Sequence, residues 1–179
     1  DISQLGDWIF EQAIIKLKDF SRYDKDINMS INVSYLQLTD NQFVDFVKEK
    51  IVLHQVNPYH VIIELTETSV AKNNELIVNK IQQLRQFGIR IAMDDFGTGY
   101  SSLSLLKNEP LDIIKIDQSF ARNITEDSFN YAFMNAIIDL CHQIDLKVIV
   151  EGVETKDELD VIEKFNPDYI QGYYTGKPM

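Results

Sequence analysis

Two adjacent carboxylates before a glycine-containing turn are the part of this sequence best suited to chemistry. Asp94 and Asp95 follow the apolar run 89–93, and Gly97 and Gly99 come soon after them. Paired like charges repel each other and resist burial, so the pair is poorly suited to stabilising a core. At the end of a strand, both carboxylates can turn toward one rim and bridge two hard divalent cations, as two-metal phosphoester chemistry requires. The alternative is that Asp94 and Asp95 only open a turn.

Polar side chains also lie at the carboxyl ends of the other predicted strands. A single carboxylate at such a place is more often a turn former or a helix cap than a ligand. Six strands that all end this way favour one shared site, because the carboxyl ends of parallel barrel strands meet at one rim. Oxygen ligands without His or Cys indicate Mg²⁺ or Mn²⁺ rather than zinc. The residues are Asn32, Glu64, Asp94, Asp95, Lys115, Glu151 and Gln171.

Lys115 is the only cation in this set. Among carboxylates and metal ions, its ammonium can orient or help deprotonate an attacking water, or neutralise a phosphate oxygen. A structural lysine paired with Asp94 or Asp117 is the equally weighted alternative.

The elements that must position these residues alternate between strands and helices. Strands are predicted at 28–34, 60–67, 89–94, 112–117, 147–151 and 169–173, and helices at 3–20, from about 40, at 73–87, 126–143 and after Thr155. Capping-box spacing is present at Thr39/Gln42 and at Thr155/Glu158, and the periodicity places Phe129 on a buried face.

This alternation implies parallel strands and an α/β fold. We predict a TIM-like (β/α)₈ barrel that is incomplete, with about six parallel strands. The first two strands are expected to precede Asp1, so 1–179 is interpreted as one N-terminally truncated domain. An open doubly wound sheet is the alternative, but no glycine-rich phosphate turn follows the first strand.

Composition excludes several classes of function. The net charge of −11 without a basic cluster disfavours binding to DNA or RNA. No apolar run approaches the roughly 20 residues that span a bilayer, so we expect no membrane contact by this segment. The single cysteine, Cys141, lies in an apolar helical pattern that suits a reducing compartment. We expect a cytoplasmic protein, or the cytoplasmic domain of a larger membrane-associated one.

The polar strand ends also carry a family resemblance that extends over essentially the whole chain. The sequence resembles the EAL-domain phosphodiesterases, which hydrolyse the bacterial messenger cyclic di-GMP. The matching segments are Asn32-Val33-Ser34, Glu64-Leu65-Thr66-Glu67, Asp94 to Ser102, Lys115-Ile116-Asp117, Glu151-Gly152-Val153-Glu154-Thr155 and Gln171-Gly172-Tyr173.

The resemblance implies a role for each matching polar residue. Asn32, Glu64 and Asp94 would hold a first Mg²⁺ or Mn²⁺, and Asp94, Asp95 and Glu151 a second. Lys115 would attend the attacking water, with Asp95 and Glu151 as its catalytic partners. The resemblance further implies hydrolysis to linear pGpG, a homodimer and an attached regulatory or sensory domain. Glu154, Gln171 and Asp117 would complete the site around water and substrate, and Glu67 would support the loop 96–102.

One departure from the family pattern bears on activity. No Glu-Ala-Leu tripeptide occurs in the sequence, and in the family its glutamate completes the first metal site. We therefore expect weak or absent turnover from this chain alone. The rival functions are a catalytically inactive cyclic di-GMP receptor or protein-interaction module of the same fold, and an unrelated barrel enzyme acting on sugar phosphates or enolisable acids.

Overall fold

Helices and strands alternate along the chain in the computed structural model, which describes residues 2–71, 75–99 and 103–177. The strands are β1 Met29–Asn32, β2 Val61–Thr66, β3 Arg90–Phe96, β4 Ile113–Ile116, β5 Lys147–Val150 and β6 Tyr169–Ile170. The helices are α1 Ile2–Phe20, α2 Tyr35–Thr39, α3 Phe43–Leu53, α4 Glu67–Ala71, α5 Glu75–Phe87, α6 Leu103–Asn108, α7 Gln118–Ala121, α8 Phe129–Gln143 and α9 Lys156–Ile162. The predicted helix start at 73–74 and loop positions 100–102 lie outside the described residues.

The chain divides into two compact units, Asp1–Ala92 and Met93–Met179, and the boundary between them lies inside β3. In the first unit, β1 and β2 pair in parallel, with Asn32 opposite Glu64. In the second unit, β5 pairs in parallel with both β4 and β6, and Ile116 lies opposite Val150. This parallel pairing was predicted from the alternation of strands and helices.

Predominantly apolar strands build the cores of both units. The first five residues of β2, Val61 to Leu65, are buried, and so are all four residues of β4. Such strands are covered on both faces, which is why their sequences lack the alternation of a half-exposed strand. Glu64 and Lys115 are buried polar exceptions on these strands.

The first capping-box prediction is wrong, whereas the second is confirmed. The box lies five residues earlier than predicted, where Ser34 and Gln37 cap α2 reciprocally. Helix α3 instead begins after Gln42, whose side chain makes no capping hydrogen bond. The Thr155/Glu158 box caps α9 as predicted. A short extra helix in the β1–α3 connection explains the error, because spacing alone fits more than one register.

Helical periodicity identified α1 and α8 but placed Phe129 of α8 on the wrong face. In α1 the buried residues are Phe10, Ile14 and Leu17, while Trp8 is exposed. In α8 the predicted core residue Phe129 is 75% exposed. Phe129 is the first residue of α8, and the buried residues of this helix begin only at Met134. None of the helices in the described part of the chain has the length and apolar character needed to cross a bilayer.

Candidate active site

The two adjacent aspartates lie within β3, which continues to Phe96 rather than ending at 94 as predicted. In a regular strand, neighbouring side chains point to opposite faces of the sheet. Asp95 breaks this alternation because its backbone is left-handed, with φ +57°. Its amide N–H also donates to Asp94 Oδ1 over 3.1 Å. This local conformation allows two consecutive carboxylates to serve the same site.

Glu151 completes a cluster of three carboxylates with Asp94 and Asp95. One oxygen from each residue lies within 4.8 Å of the others. Glu151 directly follows β5, and its amide N–H donates to the carbonyl oxygen of Ile116 in β4 over 3.1 Å. The parallel pairing of β4 and β5 therefore holds the backbone of Glu151 beside the carboxyl end of β4.

Lys115 places a buried positive charge against this cluster. Its Nζ lies 3.0 Å from Asp94 Oδ1 and 2.7 Å from Glu151 Oε1, and the lysine side chain is only 5% exposed. The Coulomb attraction between these charges is stronger than at a surface because solvent screening is weak there, and it offsets the cost of burying them. The cluster thus places three carboxylates beside one ammonium, a set of oxygen donors that suits a bound cation.

A cavity of about 340 Å³ lies beside Glu151. Its lining includes two residues predicted from the resemblance, Glu154 and Gln171. It also includes Gln118 and Arg122, which the sequence reasoning missed. Arg122 donates to Gln118 Oε1 over 2.8 Å and lies 3.4 Å from Glu154 Oε1. One feature of the sequence could have identified this pair. Gln118 and Arg122 are four residues apart just after the strand that carries Lys115, and residues at this spacing lie side by side on a helix.

Asp117, predicted to lie near substrate, caps α7 in the structure. Its Oδ1 accepts a hydrogen bond from the Ser119 amide over 2.9 Å, and its own amide donates to the Phe96 carbonyl over 3.3 Å. Asp117 is not part of the three-carboxylate cluster described above. Its observed contacts organise the backbone beside β3.

Glu158 holds the segment that follows Glu151. Its carboxylate accepts hydrogen bonds from the backbone amides of Asn123, Glu154 and Thr155, over 3.0, 2.9 and 3.0 Å. Burial opposes ionisation of this carboxyl, but the backbone hydrogen bonds outweigh that cost and lower its pKa. The predicted capping residue therefore also ties the Glu154 backbone to the end of α7.

The first unit carries the remaining predicted residues. Asn32 and Glu64 are register partners at the carboxyl ends of β1 and β2, and the Val33 amide donates to the Glu64 carbonyl over 3.0 Å. Glu64 is buried, whereas Asn32 is exposed. Glu67, the first residue of α4, is 3% exposed.

Comparison with known proteins agrees with this architecture. The profile of the EAL domain matches residues 2–178. The chain is 34% identical over 179 residues to the bifunctional diguanylate cyclase/cyclic di-GMP phosphodiesterase MucR of Pseudomonas aeruginosa, covering 99% of this chain and 26% of MucR. It is 36% identical over 182 residues to the cyclic di-GMP phosphodiesterase PdeR of Escherichia coli K12, covering 99% of this chain and 27% of PdeR.

A solved structure gives the same fold. The P. aeruginosa MucR phosphodiesterase, in a complex with c-di-GMP, matches with a TM-score of 0.92 at 34% identity, over 99% of this chain and 78% of that one. The agreement confirms the predicted α/β, TIM-like fold class. The chain spans about a quarter of the length of the two full-length relatives.

Proposed function

This chain belongs to the EAL domain family, and on that premise we propose a metal-dependent phosphodiesterase that hydrolyses cyclic di-GMP to linear pGpG. The observation that carries the proposal is the cluster of Asp94, Asp95 and Glu151 beside the buried Lys115. Both relatives described above are named as cyclic di-GMP phosphodiesterases, and the matching MucR structure is a c-di-GMP complex.

The donor set of the cluster fits a hard divalent cation. All three side chains offer carboxylate oxygens, and these lie close enough to one another to surround a single ion. We propose that Asp94, Asp95 and Glu151 hold one Mg²⁺ or Mn²⁺. This is the second cation of the pair implied by the resemblance; the assignment of Asn32, Glu64 and Asp94 to the first cation stays a prediction. When bound, such cations supply Lewis-acid activation of water and charge neutralisation at a phosphodiester.

Lys115 is proposed to act on the reacting groups directly. Its ammonium has no acceptor capacity and donates only, so it suits a phosphate oxygen or the lone pair of a water. The contacts to Asp94 and Glu151 restrict where Nζ can lie, which lowers the entropy cost of orienting that partner. Asp95 and Glu151 are the proposed catalytic partners of this lysine.

The reaction adds one water across one of the two phosphodiester bonds. The water oxygen bonds to phosphorus, the bond from phosphorus to the 3′ oxygen breaks, and the 3′ oxygen takes up a proton. The product carries one 5′-phosphate and one 3′-hydroxyl, as linear pGpG does. We propose that the cavity lined by Glu154 and Gln171 receives part of the dinucleotide. A substrate-side role for Asp117 and a loop-supporting role for Glu67 stay predictions.

The wider context of the domain is also a proposal. We propose a cytoplasmic homodimer whose polypeptide also carries a regulatory or sensory domain. The multidomain length of the relatives supports the additional domain, since the chain matches only about a quarter of each. The whole of 1–179 is taken as part of one EAL-type domain.

A turnover assay on the full-length protein tests the proposal. Purified protein is incubated with cyclic di-GMP and either Mg²⁺ or Mn²⁺, and the nucleotides are separated by chromatography. Linear pGpG should form, should disappear with a chelator and should return when metal is restored. The exposed carboxylate Asp139 provides a matched control, and Asp139→Asn should retain turnover. Tight binding of cyclic di-GMP without pGpG would reject the enzyme and support a receptor.

A further inference from the structure

Helix α7 packs against two glycines. Gly97 lies in the turn that follows Asp94 and Asp95, and Gly152 directly follows Glu151. A Cβ at Gly97 would overlap Cε2 of Phe120 and lie 2.8 Å from its Cζ. A Cβ at Gly152 would overlap Cβ of Gln118 and lie 3.0 Å from its Cα. Gly97 and Gly152 have φ values of +99° and +72°, which glycine adopts readily. Both turns therefore approach this helix more closely than a residue with a side chain would allow.

Backbone hydrogen bonds connect the same segment to both turns. The Asp117 amide, directly before α7, donates to the carbonyl of Phe96. The Glu151 amide donates to the carbonyl of Ile116. The segment after Lys115 thus contacts the chain next to Asp95 on one side and Glu151 itself on the other.

Gly97 is closely tied to the position of Asp95. The amide and the hydroxyl of Thr98 both donate to the Asp95 carbonyl, over 3.2 and 2.9 Å. These bonds close a tight turn that contains Gly97. A displacement of Gly97 therefore changes the left-handed backbone at Asp95, and with it the direction of the Asp95 carboxylate.

The Phe120 ring is itself anchored on its other side. It stacks on Phe133 of α8 with ring centroids 4.2 Å apart and planes 18° apart. Phe133 also stacks on the exposed Phe129, with centroids 6.1 Å apart. Phe120 is therefore an aromatic side chain held by α8 with one ring edge against the turn after Asp95.

We propose that α7 is a positioning element that fixes the spacing of Asp94, Asp95 and Glu151. The Phe120 ring fixes the position of the turn at Gly97, which determines the direction of the Asp95 carboxylate. Cα and Cβ of Gln118 fix the position of the turn at Gly152, which follows Glu151. This inference rests on the proposed metal-dependent function, because the spacing of three oxygen ligands matters most when they share a cation. Ligand sets must be held within about 0.5 Å of the productive geometry, which neighbouring residues achieve by packing.

The two contacts predict different responses to truncation. Gly152 meets Cβ and Cα of Gln118, and every residue except glycine has both of these atoms, so truncating Gln118 to Ala leaves this contact in place. Gly97 meets the far edge of the Phe120 ring, which a smaller side chain lacks. Phe120→Ala is therefore the informative substitution, since it releases the turn after Asp95 without touching a ligand.

The test measures Mn²⁺ affinity directly by titration calorimetry on the full-length protein, without substrate. Phe120→Ala should raise the Mn²⁺ dissociation constant about 10-fold or more, the effect typical of residues that orient metal ligands. Phe129→Ala is the matched control, because it truncates the exposed end of the same aromatic stack. It should change the constant by less than about twofold, as surface substitutions generally do. Circular dichroism and metal-free unfolding establish that each variant is folded.

A more conservative variant, Phe120→Leu, keeps the test informative if Phe120→Ala does not fold. Phe120→Leu keeps apolar bulk against Phe133 but shortens the reach toward Gly97, so it should weaken Mn²⁺ binding less than Phe120→Ala yet measurably. Folded Phe120 variants with wild-type affinity would overturn the positioning role, as would equal weakening by Phe129→Ala. Wild-type protein that binds no Mn²⁺ would reject the proposed metal-dependent function itself, which is a distinguishable failure.

Discussion

Lys115 Nζ lies 2.7 Å from Glu151 Oε1, although Lys115 belongs to β4 and Glu151 follows β5. The register of the two strands explains this proximity. Lys115 lies opposite Ile149, and Glu151 comes two residues after Ile149, so side-chain alternation returns it to the same face. Parallel pairing thereby brings the ammonium and the carboxylate together, and Asp94 approaches the same ammonium from β3.

Removing the ammonium should separate catalysis from metal binding. In Lys115→Met the cluster loses its positive neighbour, so we expect Mn²⁺ affinity to be unchanged or higher. Turnover of cyclic di-GMP should fall by about 100-fold or more, the scale seen when one transition-state electrostatic contact is lost. Parallel titration calorimetry and pGpG chromatography measure the two quantities.

The matched variant for this prediction is Lys115→Arg, which keeps the charge but changes its shape and donor geometry. It should retain more turnover than Lys115→Met. Full activity of Lys115→Met would show that the lysine serves only to pair the carboxylates in the folded chain.

Neutralising Asp94 should weaken metal binding and turnover together, unlike removal of the Lys115 ammonium. Asp94→Asn preserves the shape of the side chain but replaces an anionic ligand with an amide. We expect the Mn²⁺ dissociation constant to rise at least about 10-fold, with a parallel loss of turnover. Asp139→Asn removes the same charge from an exposed face of α8 and should leave both quantities near wild type. Equal effects in the two variants would point to net charge rather than ligation.

Asp168, a largely buried carboxylate outside the site, should make stability depend on pH. Asp168 accepts from Lys147 Nζ, the Val148 amide and His142 Nε2 over 2.7, 2.9 and 3.0 Å. Burial opposes its ionisation, but these donors together lower the pKa of Asp168 below its usual value of 3.8. Its contribution to stability is therefore present above that value and is lost as pH falls through the lower folded-state pKa.

Asp168→Asn should accordingly reduce the free energy of unfolding at neutral pH by about 2 kcal/mol, because three hydrogen-bond donors lose a charged, largely buried acceptor. Urea unfolding at neutral pH and at about pH 2 measures the difference, which should shrink in acid. Asp160→Asn, which breaks an exposed ion pair with Lys156, should have a much smaller effect. A pH-independent loss in Asp168→Asn would contradict the assigned cause.

The single cysteine should be chemically inert in the folded protein. Burial, followed by the negative charge of Asp168, raises the pKa of the Cys141 thiol to about 12. Little thiolate is then present near pH 8, and access to the buried sulfur is blocked. Iodoacetamide should modify Cys141 slowly in native protein and rapidly after unfolding in urea, as mass spectrometry can follow. Rapid labelling of native protein would show that α8 opens locally.

Several features of the fold could be predicted because they depend on neighbouring residues in sequence. Apolar β-branched runs such as Val61 to Ile63 indicated buried parallel strands, and the Thr155/Glu158 spacing located the start of α9. Helix faces were less predictable. Phe129 is spaced from the buried residue Ile137 as two residues on one helix face would be, yet it is exposed. It lies in the first turn of α8, where burial depends on whether another segment covers the helix end.

The amino-acid sequence by itself determined the alternation of strands and helices, and hence the α/β class. It also determined which residue types end each strand, and hence the oxygen-rich donor set and the family. Tertiary structure alone decided that Asp95 adopts a left-handed backbone, that Lys115 pairs with both Asp94 and Glu151, and that Phe120 occupies the space beside Gly97. The physical reason is range: strand and helix periods follow from local spacing, whereas these contacts depend on how segments far apart in sequence pack together.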